Sequence, residues 1–188
     1  MQQNKSLIWI GLALTFLAQL FVPAQMIFER EAILKNGRAF KFELEPIDPA
    51  DPFRGRYVFL RFANTVYKGT VQDTFKHPDP VYVKLTTNSS GFAEIQAIER
   101  TKPENGDFLE ATVQSDYQRE VIIRYPFERF YMEEYAAPLA EKRLRAVNQD
   151  SLQTAYALIR IRDGEGVIEN VFINDQPIHE FAREREIE

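Results

Sequence analysis

The sequence predicts a mainly β, α+β protein, in which an N-terminal transmembrane helix precedes an antiparallel β-rich domain with one amphipathic helix. Three observations predict it. Residues 7–28 carry no charge; beyond Gly37 the apolar period falls from the helical value to two; and the β-like stretches are separated by Pro, Gly, Asn and Asp clusters that set turns. A chain of 188 residues, 45% apolar and 13% aromatic, has enough side chain to bury a core. Its expected organisation is a membrane anchor at 1–30, a β-rich extracytoplasmic domain at 31–177 and a charged tail at 178–188.

The anchor rests on length. The 22 residues from 7 to 28 rise about 1.5 Å each as a helix and so reach roughly 33 Å, enough for the hydrocarbon core of a bilayer. Thr15, Gln19 and Gln25 are its polar members, and Pro23 lies near its far end, where proline is tolerated. A cleaved signal peptide is the competing reading, but it wants a shorter apolar stretch, and Val22-Pro23-Ala24 is a poor cut site. Lys5 and the free amino terminus favour an inside N-terminus, which places the body in the periplasm or outside. Residues 29–36 read as the same helix continuing, with Gly37 as its stop.

In the body, Phe40, Phe42 and Leu44 alternate with Lys41, Glu43 and Glu45, the pattern of a strand wetted on one face. Similar stretches recur at 56–63, 81–86, 92–99, 108–113 and 121–125, and the turn residues 88–91 are expected to close a hairpin. A helix is expected from Pro138 to about Asn148, with Ala140, Leu144 and Val147 on its apolar face and Lys142, Arg143 and Arg145 opposite. Residues 155–162 and 167–174 then form a second hairpin about a turn at 163–166, because Ala157, Ile159 and Ile161 alternate with Leu158, Arg160 and Arg162. The charged tail is expected to be frayed or a short surface helix.

Charge and composition remove several classes. The chain carries −5, and without residues 1–30 the remainder carries −6, the wrong sign for sequence-independent binding to phosphates, so no nucleic-acid partner is expected. Cysteine is absent, which excludes disulfides, thiolate metal sites and a cysteine nucleophile. His77 and His179 lack ligand spacing, and Asp48 and Asp51 each precede a proline in a turn, so no metal is expected. A Gly-x-Ser-x-Gly elbow, a phosphate loop and a dinucleotide fingerprint are all missing; Ser89 and Ser90 sit in a polar turn. Neither a cofactor nor a catalytic residue is assigned.

The most informative stretch is 46–62, PIDPADPFRGRYVFLRF, where two Asp-Pro pairs and Gly55 deliver the chain into a segment of β-forming side chains. Arg54, Arg56 and Arg61 flank Tyr57 and Phe59, an arrangement that suits an anion or a partner's carboxylates. The plainer reading has Tyr57, Phe59 and their alternates filling a core while the arginines keep their heads in water. Residues 55–62 resemble the signature of the bacterial GDYXXLXY protein family, Gly-Asp-Tyr-x-x-Leu-x-Tyr. Gly55, Tyr57 and Leu60 match it, whereas Arg56 stands at the family's Asp and Phe62 at its second Tyr. The resemblance implies a membrane anchor and a multi-spanning membrane protein as companion.

A second candidate is 128–135, ERFYMEEY, with Phe130, Tyr131, Glu133 and Glu134 between a strand and the expected helix. Acids ahead of a helix also stabilise its N-terminus, and adjacent residues on a helix do not face one another. The reading that results is a membrane-anchored, non-enzymatic subunit or interaction module of an envelope complex, single-pass in the bacterial inner membrane. Its rivals are an envelope enzyme using Glu133 or Glu134 with Arg54 or Arg56, and a sensor domain for a small ligand.

Overall fold

A computed structural model of the chain describes residues 3–45, 57–69, 74–117, 120–133 and 154–183, together with the helical positions Ala137, Ala140 and Leu144; at 3–7 and 181–183 it describes the backbone alone. The first element, α1 (Gln3–Asn36), is one helix through Pro23. Its apolar stretch is 0% buried and long and apolar enough to cross a membrane. Thr15 donates to the Gly11 carbonyl at 2.9 Å and Gln25 to Glu29 at 2.8 Å, so two of its polar side chains are occupied within the helix. Near its end α1 meets the body: Ile33 is buried, and the helix packs against the strands that hold residues 155–173.

Gly37 ends α1 as expected, donating its N–H to the Ile33 carbonyl at 2.8 Å. The reason is close approach. A Cβ there would lie 2.5 Å from the Ile33 oxygen and 3.1 Å from the backbone N and O of Ile161, contacts that only glycine avoids. Helix and sheet are therefore joined without a linker.

The body is mostly antiparallel β, as the period-two pattern predicts. Its strands are β1 (Arg38–Glu43), β2 (Tyr57–Phe59), β3 (Val66–Tyr67), β4 (Pro80–Thr87), β5 (Ala93–Glu99), β6 (Phe108–Tyr117), β7 (Glu120–Arg124), β8 (Arg129–Tyr131), β9 (Ala155–Arg162), β10 (Glu165–Ile173) and β11 (Gln176–Pro177). They form a four-stranded sheet ordered β1-β9-β10-β11, a five-stranded sheet ordered β3-β7-β6-β4-β5, and the pair β2-β8. Bridges Lys41↔Phe92, Leu44↔Phe62 and Leu109↔Gly164 tie the sheets together. The five-stranded sheet curls until its edges meet, where the Asn64 amide ahead of β3 donates to the Ala93 carbonyl of β5 at 2.8 Å.

Both expected hairpins form, β4–β5 and β9–β10. The second turns on two residues rather than four: Asp163 and Gly164 have φ of 55° and 99°, the left-handed pair that matches strand twist in a two-residue loop. Asn174 and Asp175, also left-handed, turn β10 into β11. A short helix (Ile178–Arg183) follows, and Ile178 is wholly buried, so the start of the charged tail is fixed to the core.

One hydrophobic core serves all the sheets. At its centre Phe42, Phe62, Tyr125 and Phe127 form a quartet in which every pair of rings has centroids 5.3–5.7 Å apart. Tyr125 and Phe127 stack in parallel, and the other two meet them edge-on, the orientations that aromatic quadrupoles favour. Ala140 and Leu144 join this core from helical positions, as expected, and Ala137 is also buried; Val147 and the basic residues 142, 143 and 145 lie outside the described residues.

Candidate functional site

The two stretches singled out in the sequence are strand partners. In the β2–β8 pair Tyr57 lies opposite Tyr131, Val58 opposite Phe130, and Phe59 opposite Arg129. The Leu60 N–H extends the ladder to the Glu128 carbonyl at 2.8 Å. Residues about seventy positions apart are thus brought onto one small ribbon.

The ribbon's two faces differ, and the inward face is the opposite of the one expected for Tyr57 and Phe59. Val58, Leu60 and Phe62 are buried; Tyr57 and Phe59 are half-buried and Arg61 is exposed. The antiparallel bridge of Phe62 to Leu44 and its place in the ring quartet set this alternation, since with a period of two every second residue must follow Phe62 inward. The outer face carries Tyr57, Phe59, Arg129 and Tyr131. Tyr57 and Tyr131 have ring centroids 5.7 Å apart, and the Arg129 guanidinium sits 5.0 Å from the Tyr57 centroid. Tyr131 is 66% exposed, so such contacts contribute only about 0.5–1 kcal/mol each and leave the rings free to meet another surface.

Beside β8 runs a groove of about 1060 Å³, lined by residues 124–131, by residues 164–168 of the β9–β10 hairpin and by 110–112 of β6, with Pro80 and Arg30 of α1 also in its lining. A smaller cavity of about 370 Å³ opens next to Phe59 and Arg61. Along it Arg124 pairs with Glu128 at 3.2 Å, and Gln114, with its amide oxygen turned toward Arg124, accepts from Nε and Nη2 at 2.9 and 2.8 Å. Tyr125, between groove and core, donates its hydroxyl to the Asn64 carbonyl at 2.6 Å, and burial pushes its phenol well above the usual tyrosine range.

Among the described residues no three His, Cys, Asp or Glu side chains converge on a metal-sized site. His77 Nδ1 lies 3.0 Å from the Val113 carbonyl, and His179 is exposed. Glu133 is exposed and its carbonyl accepts from the Ala137 N–H at 3.0 Å. Arg54, Gly55, Arg56 and Glu134, like Asp48 and Asp51, lie outside the described residues.

The model of the family described as GDYXXLXY protein matches residues 19–171, from within α1 to β10. The chain belongs to the GDYXXLXY family. No curated protein and no solved structure matches it. The geometry explains much of the GDYXXLXY signature as architecture: Leu60 is a fully buried core residue and Phe62, at the position of the signature's second Tyr, packs against Phe42, Tyr125 and Phe127. Tyr57 is different. It points outward and makes the surface cluster with Arg129 and Tyr131. Arg129 was not singled out in the sequence, although the outward positions 129 and 131 about an inward-leaning Phe130 are themselves a period-two signal. The groove wall at 164–168 carries no sequence signal, because it exists only where β10 faces β8.

Proposed function

We propose that this GDYXXLXY protein is a single-pass, non-enzymatic subunit of a bacterial inner-membrane assembly, with its β-body in the periplasm or outside and a multi-spanning membrane protein as companion. The observation that carries the reading is the junction at Gly37. A helix of membrane-crossing length runs unbroken into the body and is clamped there by Ile33 and by the close contact of Gly37 with Ile161. An enzyme domain needs only a tether. A clamped helix fixes the height and bearing of the body over the bilayer, which matters for a surface that must meet a neighbour in the same membrane. Uncharged from 7 to 28, α1 offers the faces of that stretch to lipid or to companion helices.

The test is mild-detergent purification of the full-length tagged protein from its native host, with co-purifying proteins identified by mass spectrometry. A stoichiometric multi-spanning companion supports the subunit; recovery of the protein alone sinks it.

One observation favours an enzyme as a second reading. The β2–β8 pairing puts Tyr57, next to Arg56 in the chain, across from Tyr131, two residues before Glu133. Alanine at Glu133 and Glu134 separates the two: it abolishes an enzyme's phenotype and leaves a subunit's companion bound.

A further inference from the structure

We infer that the groove between β8 and β10 receives an extended, juxtamembrane segment of the companion protein, added as a strand to the open edge of β10. The inference rests on the subunit reading above and gives it a contact surface. Strand β10 pairs with β9 from Glu165 to Ile173, but on its other side β11 covers only Phe172 and Ile173. On that side β6 meets the hairpin only at its start, where Leu109 bridges Gly164 and the Glu110 N–H donates to the Gly164 carbonyl at 2.8 Å; among the described residues no strand pairs with 165–168 beyond it, and an open edge is a template for another chain. The pairing with β9 shifts register between Ile168 and Asn170, and such a bulge turns an edge away from further pairing, which limits the open stretch to those four residues. They are the same residues that wall the groove.

The groove suits a peptide. Its volume of about 1060 Å³ is at or above the roughly 300–1,000 Å³ of small-ligand clefts. Arg30, Arg124 and Arg129 are balanced by Glu110, Glu128 and Glu165, a lining that gives a lone anionic headgroup no net attraction, while Phe130 and Val167 offer apolar surface to alternate side chains. Its position names the source. Arg30 lies two residues past the uncharged stretch of α1, so with α1 in a bilayer the groove opens at the headgroup layer, where the segments flanking a companion's spans begin.

The experiment uses the full-length chain in its native membrane, with the photocrosslinking residue benzoylphenylalanine placed at Val167, at Tyr131 and, for comparison, at Tyr117 in β6 and Phe21 in α1. The inference predicts that Val167 and Tyr131 crosslink to one companion peptide lying outside its spans and that Tyr117 does not. It also predicts that Val167→Lys, which blunts the edge, lowers the co-purified companion roughly tenfold, while Val167→Thr retains it and both keep the parent's thermal midpoint. Crosslinks to lipid alone or from Phe21 alone, or full companion recovery with Val167→Lys, overturn the groove and leave the subunit reading standing. If Val167→Lys does not fold, the crosslinks decide. Absence of any companion overturns both.

Discussion

Tyr57 and Tyr131 stand directly across the β2–β8 pair, ring centroids 5.7 Å apart and tilted by 58°, with Arg129 over the Tyr57 ring. A family-signature residue is thereby joined to a stretch that the chain places about seventy residues later. Because Tyr131 is mostly exposed, the pair has little to do for stability, about 0.5–1 kcal/mol. Tyr131→Ala should move the unfolding midpoint of the detergent-solubilised protein only slightly and, on the subunit function proposed above, deplete the proposed companion on co-purification. A large loss of stability with the companion retained contradicts that assignment.

The ring quartet should behave in the opposite way. Phe42 is 1% exposed and touches the other three rings, so Phe42→Ala is expected to cost about 3–5 kcal/mol and Phe42→Leu clearly less. Denaturant unfolding followed by circular dichroism of the strands checks the order. Equal losses would mean that ring packing at this position is unimportant.

Gly37 is expected to tolerate nothing larger. Its Cβ position is crowded by backbone atoms of Ile33 and Ile161, which cannot rotate away. Gly37→Ala should destabilise the body by more than about 1 kcal/mol, and it should loosen the last turn of α1, read as faster amide exchange at 33–37. Unchanged exchange there would contradict the clamp.

Alkaline pH should unfold the body in a defined window. Burial raises the phenol of Tyr125, and burial together with the hydrogen-bonded Asp175 carboxylate, 2.7 Å away, pushes that of Tyr156 up to about 12. Their folded pKa values lie above the unfolded value of about 10, so the stability they contribute is complete below about pH 10 and is lost as pH rises through the folded values. Midpoints measured across that range should fall above about pH 10, and fall less for Tyr156→Phe. A midpoint that stays level up to about pH 12 would be the contrary result.

Much of this architecture was legible because it is local. The alternation at Phe40, Phe42 and Leu44 and the Asn88 and Asp163 turns are written within a few residues, and the absence of charge before Glu29 marks the long apolar helix. The pairing of β2 with β8 was not legible. Three-residue strands carry too little pattern to announce themselves, and nothing in 57–59 specifies a partner at 129–131. The inward face of β2 was misjudged for the same reason: Tyr57 and Val58 are both good strand residues, and only the anchoring of Phe62 beside Leu44 and Phe127 decides between them. The groove, made by one strand edge facing another, is legible only in three dimensions.

The clamp at Gly37 requires the long apolar helix and the body to move as one piece. The chain has no cysteine, so spin labels at Phe28→Cys and Asp163→Cys in lipid nanodiscs report a single distance across the Gly37 junction. The account predicts one narrow distance distribution that broadens when a Gly-Gly-Ser segment is inserted after Asn36. A broad distribution in the parent chain, or one that the insertion leaves unchanged, would show a hinge where the structure places a clamp.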